Sequence, residues 1–237
     1  MKIGIICASD DEFAPFLPVI ENKKVTEKAM LKVYEGNIGS VEVAALYSGV
    51  CKVNASIAAQ VLADCFGVTA VINSGAAGAT DEKLRIFDTV ISTECCYHDV
   101  AEDILTEFHP WLKSPFFESS PELLKSAKAV VKKEGSKNVF FGRTVTGESF
   151  ISDGGRAEIV KKFAPLSVDM ETAAIAHVCY ANGLPFLSVR TITDTAAHDA
   201  GALFEENCVK ASRTAADLTV KIIRELGCPP RHKNKER

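Results

Sequence analysis

No run of about 18 apolar residues occurs in the sequence, so nothing in it reads as a membrane-spanning helix. The opening Met1-Lys2-Ile3-Gly4-Ile5-Ile6-Cys7-Ala8 is too short for a signal-peptide core, and the acids Asp10, Asp11 and Glu12 follow at once. The cytoplasm is therefore the expected location. None of the eight cysteines forms a Cys-x-x-Cys pair, which removes the commonest zinc and redox motifs. Neighbours Cys95 and Cys96 would face opposite sides of a strand and so could not easily share a metal. The net charge of −4 is small and of the wrong sign to attract nucleic acid or an anionic membrane. No Gly-Lys-Ser/Thr phosphate loop is present, and Gly75-x-x-Gly78 is not a dinucleotide fingerprint.

The composition is that of a globular protein, with 47% hydrophobic and 24% charged residues. A chain of this length buries roughly 70–75% of its unfolded surface, so it needs neither disulfide nor metal to hold a core. Compact β-branched runs at 2–8, 31–38, 41–47, 68–73, 87–97, 138–146, 166–169 and 185–193 predict strands. Helical spacing appears at 52–66, 121–133, 154–163, 171–182 and 204–226. Gly39-Ser40 predicts a hairpin turn, Gly67 a helix C-cap, and 99–120 a long loop. Strands alternating with helices imply one α/β domain over 1–226: a mixed, largely parallel twisted sheet flanked by helices. The Pro-containing basic tail at 227–237 is expected to fray.

Ligands of such sheets bind beyond the carboxyl ends of the strands. Glu12, Ser48-Gly49-Val50, Gly75 to Gly78, residues 146–151, Val168 to Glu171 and Arg190 to Asp194 fall there. Separated carboxylates in one site can divide into acid and base. Each also has a plainer reading, with Glu12, Glu171 and Asp194 as helix-end charges and the glycines as turn residues. Cys95-Cys96-Tyr97-His98-Asp99 suits a Cys–His nucleophile or simply two buried strand cysteines. Cys51, at a helix start, is placed to favour a thiolate that would make activity sensitive to oxidation, as is Cys7 at a strand end. Spacing alone stops at an α/β enzyme with an acidic site.

Seven segments in order carry a more specific signal. They are Lys2-Ile3-Gly4-Ile5-Ile6 with Glu12, Ser48-Gly49-Val50-x-Lys52-Val53-Asn54, Val71-Ile72-Asn73-x-Gly75-x-Ala77-Gly78, Tyr97-His98-Asp99, Gly147-x-x-Phe150-Ile151-Ser152, Met170-Glu171-x-x-x-Ile175-Ala176 and Arg190-x-Ile192-x-Asp194. Together they resemble the bacterial 5′-methylthioadenosine/S-adenosylhomocysteine nucleosidases of the nucleoside phosphorylase superfamily, over nearly the whole chain.

The resemblance implies hydrolysis of 5′-substituted adenine nucleosides, with no cofactor or metal, in a homodimer. It implies Asp194 as the acid that protonates adenine N7 and Glu12 as the base that activates water. Glu171 would bind the ribose hydroxyls over Met170, Phe150 would stack on adenine, and the Ile151 backbone would read its edge. Phe204 would line the 5′ side, and Arg190 would belong to the network around the water. Val50, Ala76 and Thr193 complete the implied substrate-binding set.

This sequence departs from the family pattern at several places. Ala76 replaces a serine, Asp169 a glutamate and Thr193 a serine, while Cys7 and Cys51 stand for glycines. The aromatic loop expected after Tyr97-His98-Asp99 reads Val100-Ala101-Glu102-Asp103-Ile104-Leu105-Thr106-Glu107-Phe108 instead. Three alternatives share the fold: a phosphorylase, an aminofutalosine nucleosidase and a non-enzymatic nucleoside-binding protein.

Overall fold

The computed structural model describes residues 1–101, 103–108, 111–151, 153–195 and 200–228. The elements run β1 (Lys2–Cys7), α1 (Asp10–Phe13), β2 (Glu21–Lys28), β3 (Leu31–Ile38), β4 (Val41–Tyr47), α2 (Lys52–Phe66), β5 (Ala70–Ala79) and β6 (Thr89–Tyr97). They continue with α3 (Ile104–Glu107), β7 (Phe117–Glu118), α4 (Pro121–Glu134), β8 (Val139–Thr146), α5 (Asp153–Phe163), β9 (Ser167–Asp169), α6 (Thr172–Ala181), β10 (Phe186–Asp194) and α7 (Ala200–Leu226).

The sheet is mixed, as expected, but it also closes on itself. β5 pairs with β10, β10 with β6, β6 with β8, β8 with β9, and β9 with β5, so five strands form a ring. β1 joins β5 in parallel and leads outward through β4 and β3 to the edge strand β2. Helices cover both faces, and strand periodicity sorts the core. Ile3 and Ile5 face one apolar cluster with Ile222 and Ile223 of α7. Ile6 faces the other, with Leu62 of α2 and Ile175 of α6.

Local sequence accounts for most element ends. Gly39 takes φ 61° in the β3–β4 turn, and Gly67 takes φ 62° to end α2. Ser120 caps α4 by accepting from the Leu123 N–H, with Pro121 in the first turn and Gly135 closing the helix.

Several expectations need correction. β2 was not anticipated because its Glu-Asn-Lys-Lys-Val-Thr-Glu-Lys sequence has no buried face. It is an edge strand whose charges discourage further pairing. The 99–120 stretch is not all loop, since it holds α3 and β7. The segment Gly75 to Gly78 is not a turn but the end of β5. α7 begins at Ala200, four residues ahead of the expected start at 204. Of the tail, 229–237 lie outside the described residues.

Candidate active site

The carboxyl ends of β1, β5, β9 and β10 meet at a cavity of about 210 Å³. Eight predicted residues line it: Glu12, Val50, Ala76, Phe150, Met170, Glu171, Asp194 and Phe204. Ile151 lines a narrow recess that shares Gly78, Phe150, Met170 and Asp194 with the main cavity. Arg190 and Thr193 are fully buried and bond to the carboxylates that line the cavity. Ser152 lies outside the described residues. A larger hollow of about 610 Å³, bordered by Glu94, Ser119 and Lys125, gathers no comparable cluster.

Glu12 is both a helix cap and a member of the site. Its N–H donates to Ser9 Oγ at 3.3 Å, while its Oε2 accepts from the Ala8 N–H at 2.6 Å and the Ser9 N–H at 3.3 Å. This capping box leaves Oε1 to accept from the Ala76 N–H at 2.7 Å. Position 76 thus acts through its backbone, which alanine supplies as well as serine. Gly75 makes the approach possible: a Cβ there would stand 2.2 Å from Glu12 Oε1 and 2.6 Å from Arg190 Nη1. The glycine serves close packing within a strand, not a turn.

Arg190 is the hub of three acids. Nε lies 3.0 Å from Asp169 Oδ2, Nη2 lies 3.0 Å from Glu171 Oε2, and Nη1 lies 3.5 Å from Glu12 Oε1. Burial works against its charge, but Asp169, Glu12 and Glu171 together outweigh it and raise the pKa. Three carboxylates around one guanidinium leave an excess of negative charge. Burial therefore pushes Glu171 above the ordinary carboxylate range; Arg190 opposes this, while Asp169 and Glu12 add to it. Glu171 also accepts the Cys51 N–H at 3.0 Å. Asp169 is held by Thr146 Oγ1 at 2.6 Å and by the N–H groups of Glu171 and Thr172 at 3.2 and 3.1 Å. Its shorter side chain still reaches Arg190, so the departure from glutamate keeps the ion pair.

At the other end, Asp194 is 1% exposed. Thr193 Oγ1 donates to its Oδ1 at 2.8 Å, which shows that the threonine retains a hydroxyl contact there. Its Oδ2 is bound by Arg156, a buried residue that the motifs did not reveal. A Cβ on Gly78 would come within 2.9 Å of the same oxygen. Phe150 and Phe204 meet edge to face at 5.9 Å, with Phe150 still 46% exposed.

The cysteines sit where the thiol is favoured over the thiolate. Burial raises the pKa of Cys7, with Glu12 adding to it and Arg190 opposing. Cys51 is raised by burial and by Glu148 and Glu171, against Lys52. Neither is poised as a thiolate. Burial also raises Cys95 and pushes Cys96 up to about 11, which favours the plainer reading of two buried strand cysteines.

Fold and site together define an α/β protein whose strand ends gather four buried carboxylates, Glu12, Asp169, Glu171 and Asp194, at one cavity. The comparisons agree and narrow this. The model of the phosphorylase superfamily matches residues 2–224. The 5′-methylthioadenosine/S-adenosylhomocysteine nucleosidase of Exiguobacterium sp. is 35% identical over 95% of this chain and 99% of its own. That of Actinobacillus succinogenes is 36% identical over 95% and 100%. The S. pneumoniae nucleosidase of the same name, solved with a transition-state inhibitor, superposes with a TM-score of 0.89 at 31% identity, covering 95% of this chain and 100% of that one. A futalosine hydrolase of Helicobacter pylori has a TM-score of 0.87 at 27% identity, covering 95% and 98%. The chain belongs to the phosphorylase superfamily and, within it, to the 5′-methylthioadenosine/S-adenosylhomocysteine nucleosidases.

Proposed function

We propose that this chain hydrolyses the N-glycosidic bond of 5′-substituted adenine nucleosides such as methylthioadenosine and adenosylhomocysteine, releasing adenine and the free 5′-substituted ribose. The observation that carries the reading is that Glu12 and Asp194 line one cavity with Glu171 and Met170. As C1′–N9 lengthens, its electron pair moves to the base, and Asp194 delivers a proton to N7. The sugar gains oxocarbenium character, which the acidic cluster stabilises. Water adds to C1′ and passes a proton to Glu12. A carboxylate offers about four lone-pair directions. Three of those on Glu12 accept backbone N–H groups, and the fourth is shared between the Arg190 guanidinium at 3.5 Å and the water.

The same charge balance disfavours phosphorolysis. Phosphate would meet Glu12 and Glu171 beside an Arg190 they already share, at a cost of about 1–4 kcal/mol for each like-charge pair near 4 Å. A non-enzymatic binder would have no need of an acid and a base in one cavity. The test is adenine release from a panel of methylthioadenosine, adenosylhomocysteine, 5′-deoxyadenosine and aminofutalosine. Release from none of them sinks the proposal. Release from aminofutalosine alone moves the chain to the aminofutalosine nucleosidase alternative.

The proposal includes a homodimer in the cytoplasm. Val53 and Ile57 of α2, Tyr180 of α6, and Phe108 and Trp111 beyond α3 are all exposed. α2 packs on α6, and Tyr180 Oη donates to the Trp111 carbonyl at 3.1 Å, so the exposed residues belong to neighbouring elements. An apolar area of this kind suits a partner surface. Leu112 and Phe117 of the same loop turn inward instead. Sedimentation at micromolar concentration should give a dimer; a monomer would refute it. Among the described residues, no helix is long and apolar enough to cross a membrane.

A further inference from the structure

Arg156 stands in the site without a part in the chemistry so far derived. It lies in the first turn of α5 and is 3% exposed. An arginine at the positive end of a helix is unfavourable, and burial adds to the cost, so its partners must compensate. Its Nη2 bridges the Ile151 carbonyl, at 3.3 Å, and the Asp194 carboxylate. Nε also reaches the Ile151 carbonyl at 3.3 Å, and Nη1 donates to the Ala79 carbonyl. With Gly78, Phe150, Met170 and Asp194 it borders the recess, whose volume is only about 30 Å³.

Purine geometry gives this arrangement a meaning. N7 and the substituent on C6 lie side by side on one edge of the base. A base that takes its proton at N7 from Asp194 therefore presents its 6-substituent beside Asp194 as well. A 6-amino group is a donor and seeks acceptors there. The Ile151 carbonyl and Asp194 Oδ2 are such acceptors, and Arg156 already donates to both. A 6-oxo group is an acceptor, and it can take over the Arg156 Nη2 donor that the Ile151 carbonyl holds at 3.3 Å, since Nε serves the same carbonyl.

We propose that Arg156 lets this pocket read 6-oxopurines, so that the chain also hydrolyses 5′-substituted inosines. The inference rests on the nucleosidase reading and extends it. The reaction balances as before. The C1′–N9 electron pair leaves with hypoxanthine, N7 receives the Asp194 proton, and water bonds to C1′ and gives a proton to Glu12. Arg156 donates to O6, where negative charge gathers as the bond breaks.

The experiment measures kcat/KM for 5′-methylthioinosine and 5′-methylthioadenosine with the full chain and with Arg156→Gln and Arg156→Lys. A pocket built only for a 6-amino group rejects the wrong partner by about 10⁴-fold or more, whereas the proposal expects the inosine to fall within about 100-fold of the adenosine. Arg156→Gln, which shortens the side chain and removes its charge, should lower the inosine-to-adenosine ratio at least about tenfold, and Arg156→Lys, which keeps length and charge, should lower it less. Circular dichroism and the melting temperature report that each variant is folded. Inosine rejection by the unaltered chain, or an unchanged ratio in Arg156→Gln, would overturn the proposal. Failure to cleave either nucleoside would overturn the nucleosidase reading beneath it.

Discussion

The two ends of the cavity hold their carboxylates by different means. Glu12 is fixed by backbone: three N–H groups from the β1–α1 junction and β5 converge on it, and Gly75 permits that approach. Asp194 is fixed by side chains, the Thr193 hydroxyl and the Arg156 guanidinium, the latter from a helix outside the sheet. The water-activating end is thus built into strand pairing that the fold cannot alter without losing its core. The base-binding end depends on residues that can change one at a time. Chemistry common to a family can sit at the first kind of site, and choice among leaving groups at the second.

This contrast sets the order of expected effects. Asp194→Asn and Glu12→Gln should each lower turnover by at least about 100-fold, since each removes a proton-transfer group. They should differ in binding. An asparagine oxygen can still accept from Arg156, so Asp194→Asn should keep its affinity for a substrate-like inhibitor, although the buried guanidinium loses its carboxylate. A glutamine at 12 must turn its NH₂ toward one of three backbone donors, which leaves a buried group unsatisfied at about 1–3 kcal/mol. A greater loss of inhibitor affinity in Asp194→Asn than in Glu12→Gln would break the comparison.

Gly75→Ala comes next. Its Cβ would displace Glu12 or Arg190, so turnover should fall at least about tenfold without touching the base pocket, as misplacement by about 1 Å can cost 10²-fold. Near-normal kinetics would show that Glu12 has slack. Asp169→Asn should act on pH dependence. Asp169 is one of the charges that raise the Glu171 pKa, so its removal makes Glu171 easier to ionise. If ribose binding needs the Glu171 carboxylate, the acidic limb of kcat/KM should move to lower pH; a shift upward would contradict the assignment. The smallest effect belongs to Ala76→Ser. It offers the water one more hydrogen bond, worth about 0.5–1.5 kcal/mol, for an increase in turnover of up to about tenfold.

Much of the site was legible because its members lie at strand ends within short motifs. Glu12, Glu171, Arg190 and Asp194 each stand beside a recognisable strand, and the sheet brings them together. Arg156 was not legible in that way. It follows Asp153-Gly154-Gly155, where an arginine reads as a surface charge on a weak helix start. A cation at the positive end of a helix was the available signal that a buried anion awaited it. Asp169 was visible as a departure but not as the acid that anchors Arg190. The ring closure was beyond pattern reading, because the β5–β10 and β5–β9 pairings join segments about 90 to 115 residues apart. β2 escaped because hydrophobic periodicity cannot mark a strand that buries no face.

The central claim is that the acidic surround of Glu12 commits the chain to water. The direct measurement is adenine release from methylthioadenosine in phosphate-free buffer, repeated with phosphate added, with the sugar product identified by mass. The account predicts an unchanged rate and free 5-methylthioribose in both. A strict requirement for phosphate, with the ribose 1-phosphate as product, would contradict it.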